Sequence, residues 1–187
     1  MRILGIIALT ALTATLPGCA TTPLPAGEAA PMEASAYRLG AGDKIRVTTF
    51  NEPNLTGEFV ISGTGMVAMP LAGDIPARGK TPAELQDAIA QRLQSGGFVQ
   101  SPQVSAEVIE YRPYYILGEV NKPGQYPFTI GLTVSKAVAT AGGFTYRANQ
   151  KVVLVTRDGS ASEDEVALTA STPIGPGDTV RIAERFF

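Results

Sequence analysis

Histidine and tryptophan are absent from the 187 residues, and cysteine occurs once. Without histidine there is no imidazole base, no Ser–His or Cys–His nucleophile pair, and none of the commonest nitrogen ligands for a metal. No catalytic residue, metal site or cofactor is therefore expected, and an enzyme on this chain would have to work with carboxylates alone. A single cysteine cannot close an intrachain disulfide, so stability must come from an apolar core. Positive charge is also short: 15 Lys and Arg against 17 Asp and Glu leave a formal charge of −2. That balance lacks the basic surplus that nucleic-acid binding requires, and no nucleic-acid partner is expected.

What is present begins with an address. Met1-Arg2 supplies a positive charge, Ile3 to Leu16 are about fourteen mostly apolar residues, and small residues follow, the three-part layout of a secretory signal. The run is shorter than the ~20 residues needed to span a bilayer. Its ending, Leu16-Pro17-Gly18-Cys19, resembles the lipobox of bacterial lipoproteins. On that resemblance residues 1–18 are removed, Cys19 is lipidated, and two or three acyl chains at ~0.8 kcal/mol per buried CH₂ give stable anchoring. The alternatives are a buried free thiol or a signal cut elsewhere. Ala20 lacks the aspartate that retains such lipoproteins at the inner membrane, so the placement is the outer membrane, facing the periplasm. Residues 19–36 carry Pro23, Pro25 and Pro31 among Ala, Thr, Gly and Glu. They read as a tether that holds the first folded residue within about 50 Å of the membrane.

From Tyr37 the pattern becomes that of a folded chain. Ile45, Val47 and Thr49 alternate with Lys44, Arg46 and Thr48, a half-buried strand after the turn Gly40-Ala41-Gly42-Asp43. Phe59–Ile61 and Val67–Met69 suggest a hairpin across Gly63 and Gly65. Thr81, Pro82 and Glu84 form a capping-box helix start, with Leu85, Ile89 and Leu93 as the buried stripe and Ser95-Gly96-Gly97 as the stop. Pro102 opens a strand in which Val104, Ala106 and Val108 alternate with polar residues. These elements form an α+β unit over 37–112.

A second unit, 113–187, starts with a strand from Tyr114 to Val120. Lys122-Pro123-Gly124-Gln125 reads as a type II turn, followed by a return strand at Tyr126–Phe128. A short helix from Thr133 to Ala141 buries Val134, Ala137, Val138 and Ala141, and Gly142-Gly143 ends it. Val152–Thr156 is a strand, Asp158-Gly159 a turn, Ser160–Glu165 a polar tip, and Val166–Leu168 and Thr179–Ile182 are the last strands. Hairpin, helix, then strands is a β-grasp-like order, giving an α+β chain of two small domains. The stretches Gly40-Ala-Gly-Asp-Lys-Ile-Arg-Val47 and Gly175-Pro-Gly-Asp-Thr-Val-Arg-Ile182 share one pattern. Eight residues are too few for a repeat, so they read as two uses of one turn-to-strand device.

Several motifs fail on inspection. Gly79-Lys80-Thr81 has the ending of a phosphate loop, but Asp74 stands where the pattern needs glycine, and a capped helix explains it. Ser135-Lys136 are neighbours on a helix and point about 100° apart, too far for a catalytic pair. Asp158, Glu163, Asp164 and Glu165 read as a solvated loop, without the spacing of a calcium site. The stretch Tyr111-Arg112-Pro113-Tyr114-Tyr115 remains: tyrosines beside an arginine form either a glycan-stacking or interface surface, or the packing of the domain junction. Arg112, Tyr114, Tyr115 and, in the following turn, Lys122 are the candidate glycan or interface contacts.

Two blocks of residues carry a family resemblance. Tyr115-Ile-Leu-Gly-Glu-Val-Asn-Lys-Pro-Gly-Gln-Tyr126, the helix ending Ala141-Gly142-Gly143, Ala148 and the strand from Val152 resemble the soluble-ligand-binding β-grasp module. Tyr37-Arg-Leu-Gly-Ala-Gly-Asp-Lys-Ile-Arg-Val47, Met69–Ile75, the Gly79–Leu85 helix start and Pro102–Val108 resemble the polysaccharide biosynthesis/export domain. Together they resemble the bacterial outer-membrane polysaccharide export proteins, in their short form. The resemblance implies a non-enzymatic conduit component for a capsular or exopolysaccharide chain. It also implies assembly as a homo-oligomeric ring and docking on an inner-membrane polysaccharide copolymerase. Larger members continue into a further β-grasp module and an amphipathic outer-membrane helix. None is evident before Phe187, so the expectation is that a separate partner supplies the outer-membrane pore. Two other readings stay open: a periplasmic lipoprotein that binds a small soluble ligand or glycan, and a carboxylate-only carbohydrate enzyme.

Overall fold

The computed structural model describes residues 37–185. The signal, Cys19 and the tether therefore lie outside the described residues. The first domain is a three-stranded antiparallel sheet, order β2-β1-β5, made of β1 (Lys44–Thr49), β2 (Gly57–Val60) and β5 (Val104–Glu110). Inward Ile45, Val47 and Thr49 and outward Arg46 and Thr48 give β1 the expected alternation. Helix α1 (Pro82–Ser95) starts as the sequence predicts. The Thr81 hydroxyl accepts from the Glu84 N–H at 3.1 Å, and the Glu84 carboxylate accepts from the Thr81 N–H at 2.8 Å. Leu85, Ile89 and Leu93 are completely buried, each contributing about 1.5–3 kcal/mol of apolar burial.

The expected Phe59–Met69 hairpin does not form. Strand β2 pairs with β1, while β3 (Met66–Met69) pairs with β4 (Gly73–Pro76) in a separate two-stranded ribbon. Ser62 and Gly65 join the two by a turn, Gly65 N–H donating to the Ser62 carbonyl, which redirects the chain out of the first sheet. The ribbon's own reversal needs left-handed backbone at Leu71 and Gly73, and Arg92 of α1 fastens it by donating to the Ala72 carbonyl at 3.0 Å.

The second domain is a five-stranded mixed sheet, order β7-β6-β10-β8-β9. Its strands are β6 (Tyr114–Gly118), β7 (Gly124–Tyr126), β8 (Val152–Thr156), β9 (Glu163–Ala167) and β10 (Thr179–Ile182). Central β6 and β10 run parallel and the other pairs antiparallel, with helix α2 (Val134–Thr140) placed after the first hairpin, as the β-grasp order expects. Val134, Ala137, Val138 and Ala141 share a core with Ile116, Val153, Val155, Val180 and Ile182 from the sheet. Gly118 lies left-handed beneath the sheet end, where a β-carbon would come within 2.1 Å of the Ile182 carbonyl oxygen.

Two expectations for this domain are corrected. Gly124 does not have the positive φ of a type II turn; it is already extended as the first residue of β7, opposite Ile116. The reversal is made upstream, where Asn121 and Lys122 N–H groups donate to the carbonyls of Gly143 and Ala141. Glu163–Glu165 are not a polar tip but the first three of the five residues of edge strand β9, with Glu163 opposite Thr156 and Glu165 opposite Leu154. Charged side chains on an edge strand discourage pairing with another chain. Among the described residues, no helix is long and apolar enough to cross a membrane.

Candidate functional site at the domain junction

The two Gly-x-Gly-Asp turns form the same structure, and both lie against Arg112. In the first, the Asp43 carboxylate accepts from the Gly40 N–H at 2.7 Å and from the Arg112 N–H at 2.9 Å. In the second, the Asp178 carboxylate accepts from the Gly175 N–H at 2.7 Å and from the Asp158 N–H at 3.1 Å. Each aspartate also receives a guanidinium: Arg112 Nη1 at 3.1 Å on Asp43, and Arg157 Nη1 at 2.6 Å on Asp178. The third residue of each turn is a left-handed glycine, Gly42 at φ 92° and Gly177 at φ 83°. A turn whose aspartate closes it and then holds an arginine is thus used once in each domain.

Arg112 lies between the two turns. A β-carbon on Gly40 would come within 2.4 Å of its Nη1, and one on Gly177 within 2.9 Å of its Nε. A side chain at Gly40 would collide with the guanidinium, and one at Gly177 with both the guanidinium and Asp158. Its Nη2 reaches Asp158 at 3.1 Å, so one arginine bridges an acid of the first domain and an acid of the second. Asp43 has no exposed side-chain area and Arg112 keeps 14%, whereas Asp158 is 49% exposed. Nε is buried without a hydrogen-bond partner among the described residues, and it packs closely against Gly177.

Tyr37 completes the cluster. Its hydroxyl donates to Asp43 Oδ2 at 2.5 Å and accepts from Arg112 Nη1 at 2.7 Å. Burial, and then donation to the Asp43 carboxylate, push the Tyr37 phenol far above the usual tyrosine range. Burial opposes the charge of Arg112, but Tyr37, Asp43 and Asp158 outweigh it and hold the guanidinium above the ordinary arginine value. Edge-to-face rings continue the connection, Tyr37 on Tyr111 at 4.9 Å and Tyr111 on Phe128 at 5.7 Å. The chain of rings links the core of one domain to that of the other.

A cleft of about 700 Å³ opens beside this cluster. Tyr37, Arg38 and Arg112 line it from the first domain and the linker, and Leu132, Lys136, Arg157 and Ile174 line it from the second.

Of the four candidate contacts, only Arg112 belongs to the junction. Tyr114 is 1% exposed and stacks on Tyr126 at 5.9 Å inside the second core, so its ring is a packing element and is not offered to a ligand. The alternation of β6 turns Tyr115 to the opposite, open face of the sheet, where Leu117 and Arg181 are also exposed. Lys122 sits in the turn after β6, its carbonyl accepting from the Tyr126 hydroxyl at 2.8 Å. The four do not form one surface. The residues missed were Tyr37, Asp43, Asp158 and Asp178, although the repeated Gly-x-Gly-Asp pattern marked two of them.

Four of the described acids are taken up in ion pairs. Asp43, Asp158 and Asp178 hold arginines, and Glu163 is paired with Arg181. Among the described residues there is no group of acids or thiols that could hold a metal ion.

Comparison with known proteins agrees with this two-part layout. The family model described as "Polysaccharide biosynthesis/export protein" matches residues 31–109, and the SLBB domain model matches residues 113–166. The exopolysaccharide production protein ExoF of Rhizobium meliloti is 37% identical over 64% of this chain and 31% of its own length. The EPS I polysaccharide export outer membrane proteins EpsA of Ralstonia nicotianae and Ralstonia solanacearum are 27% and 28% identical, over 82% of this chain and 49% of theirs. The chain thus spans about half, or less, of the length of these relatives. The two matched models fall on the two cores and divide at the Arg112 junction, so the chain belongs to the bacterial polysaccharide export family, an export domain followed by an SLBB domain.

Proposed function

We propose that this chain is a non-catalytic component of a polysaccharide export conduit, anchored through Cys19 to the outer membrane and facing the periplasm. The observation that carries the reading is the tandem of export and SLBB domains, each with its own core, joined by a junction whose charges are consumed in structural pairs. A conduit needs a rigid frame and no reactive constellation, and the paired acids are consistent with that. The domain limits that follow are 37–112 and 113–187. The proposal includes a homo-oligomeric ring and contact with an inner-membrane copolymerase. Arg112 acts as the bolt of the frame, while Tyr115 and Lys122, both exposed, are the candidates for glycan or subunit contact.

The test is deletion of the gene in its native host. Surface polysaccharide should disappear while its synthesis continues, and the wild-type chain should restore it. Intact surface polysaccharide in the deletion strain, with no second copy of such a gene, would contradict the proposal.

A further inference from the structure

The cleft beside Arg112 has the size of a small-molecule site, since such sites run from about 300 to 1,000 Å³ and favour domain interfaces. Its volume is about 700 Å³, and residues of both domains line it. Leu132, Pro173, Ile174 and Ala170 supply apolar wall. The charged side chains around it are four cations, Arg38, Arg112, Lys136 and Arg157, against two carboxylates, Asp158 and Asp178.

Three of those cations are already engaged. Arg112 is shared by Asp43 and Asp158, Arg157 is held by Asp178, and Arg38 reaches Glu84 at 3.0 Å. Lys136 differs. Its ammonium donates to the Gly131 carbonyl at 2.9 Å, and among the described residues no carboxylate pairs with it. An ammonium has three donors, so two remain at the mouth of an apolar cleft. Bare sugar rings suit this place poorly. Among the described residues no Asn or Gln lines it, and the only aromatic residue in its wall, Tyr37, is buried. A dication would meet the surplus of positive charge.

We propose that the interdomain cleft binds a small organic anion with an apolar body, the anionic group on Lys136 and the body against Leu132, Pro173 and Ile174. The proposal goes beyond polysaccharide export and does not depend on it. Binding to the folded chain raises its thermal stability by mass action.

The test uses the full chain in lipid nanodiscs, with empty nanodiscs as the blank, and three probes followed by saturation-transfer NMR titration. These are 2-naphthoate, its neutral amide 2-naphthamide, and glucuronate as a polar anion. The wild type should bind 2-naphthoate saturably and the amide about tenfold more weakly or worse, the worth of one charge-assisted contact. Lys136→Met should erase the preference for the acid over the amide. Ala170→Trp, which fills the cleft, should remove both; if it fails to fold, the Lys136→Met comparison decides. The proposal is overturned if 2-naphthoate shows no saturable binding, if acid and amide bind equally to the wild type, or if Lys136→Met keeps the preference. Glucuronate binding more tightly than 2-naphthoate would overturn it in favour of a saccharide site.

Discussion

Replacing Arg112 by methionine tests the junction most severely. The substitution keeps most of the side-chain length but removes the only cation paired with Asp43 among the described residues, and the Asp43 carboxylate has no exposed area. Breaking a buried ion pair by removing one partner costs about 3–5 kcal/mol. Here the loss is moderated, because Asp43 keeps the N–H groups of Gly40 and Arg112 and the hydroxyl of Tyr37. The expected destabilisation is therefore at the lower end, about 2–4 kcal/mol. With a urea m-value of about 1–2 kcal/mol/M for a domain of this size, the first transition should move down by roughly 1–4 M. With no tryptophan in the chain, far-UV circular dichroism is the suitable probe. Asp158→Asn provides the internal control: its carboxylate holds the same arginine from a half-exposed position, where pairs are worth about 1 kcal/mol or less. If Arg112→Met costs no more than Asp158→Asn, the buried pair does not hold the junction and the reasoning is refuted.

The same cluster gives an alkaline signature. Tyr37 titrates above its ordinary value of 10.0 in the folded chain, so its contribution is intact below that pH and shrinks above it, as the unfolded state releases a proton the folded state retains. Chemical denaturation from pH 9 to about pH 12 should show the loss, and Tyr37→Phe should flatten it; an unchanged slope in the variant would place the effect elsewhere. Thr81→Ala removes the cap of α1 and should cost about 1 kcal/mol by urea melt, whereas no change would mean that Glu84 alone suffices. Gly118→Ala should be among the worst small substitutions, since φ is +82° and its β-carbon would meet the Ile182 carbonyl. A soluble, normally melting variant would contradict the stated geometry. Cys19→Ser should release the chain from membranes into the periplasmic fraction, and continued sedimentation with membranes would count against the lipid anchor.

The elements legible in the sequence were those specified locally. Helix α1 is announced by Thr81, Pro82 and Glu84, and α2 by Thr133 and the Gly142-Gly143 stop, so their limits follow from residues a few positions apart. Strand pairing is not local. Phe59–Val60 could pair with Val67–Met69 or with β1, and nothing within either run decides between them. The choice is made by the Ser62–Gly65 turn and the packing beneath it. The same holds for the edge position of β9, which depends on where β8 lies. At the junction, Arg112 stood out because an arginine among tyrosines is conspicuous, but Tyr114 and Tyr115 could not be told apart until the phase of β6 was known. Asp43 and Asp178 were visible only as a repeated pattern 135 positions apart. That pattern indicated a shared turn but not that one arginine would join the two domains beside it.

The central claim is that this chain acts after synthesis, in moving polymer outward. Pulse-labelling the polysaccharide with radioactive sugar in the deletion strain, then following the label into cell-retained and released fractions, measures this directly. The account predicts normal incorporation with label held in the cell, and release restored by the wild-type chain. Normal release without the chain, or failure of incorporation itself, would contradict it.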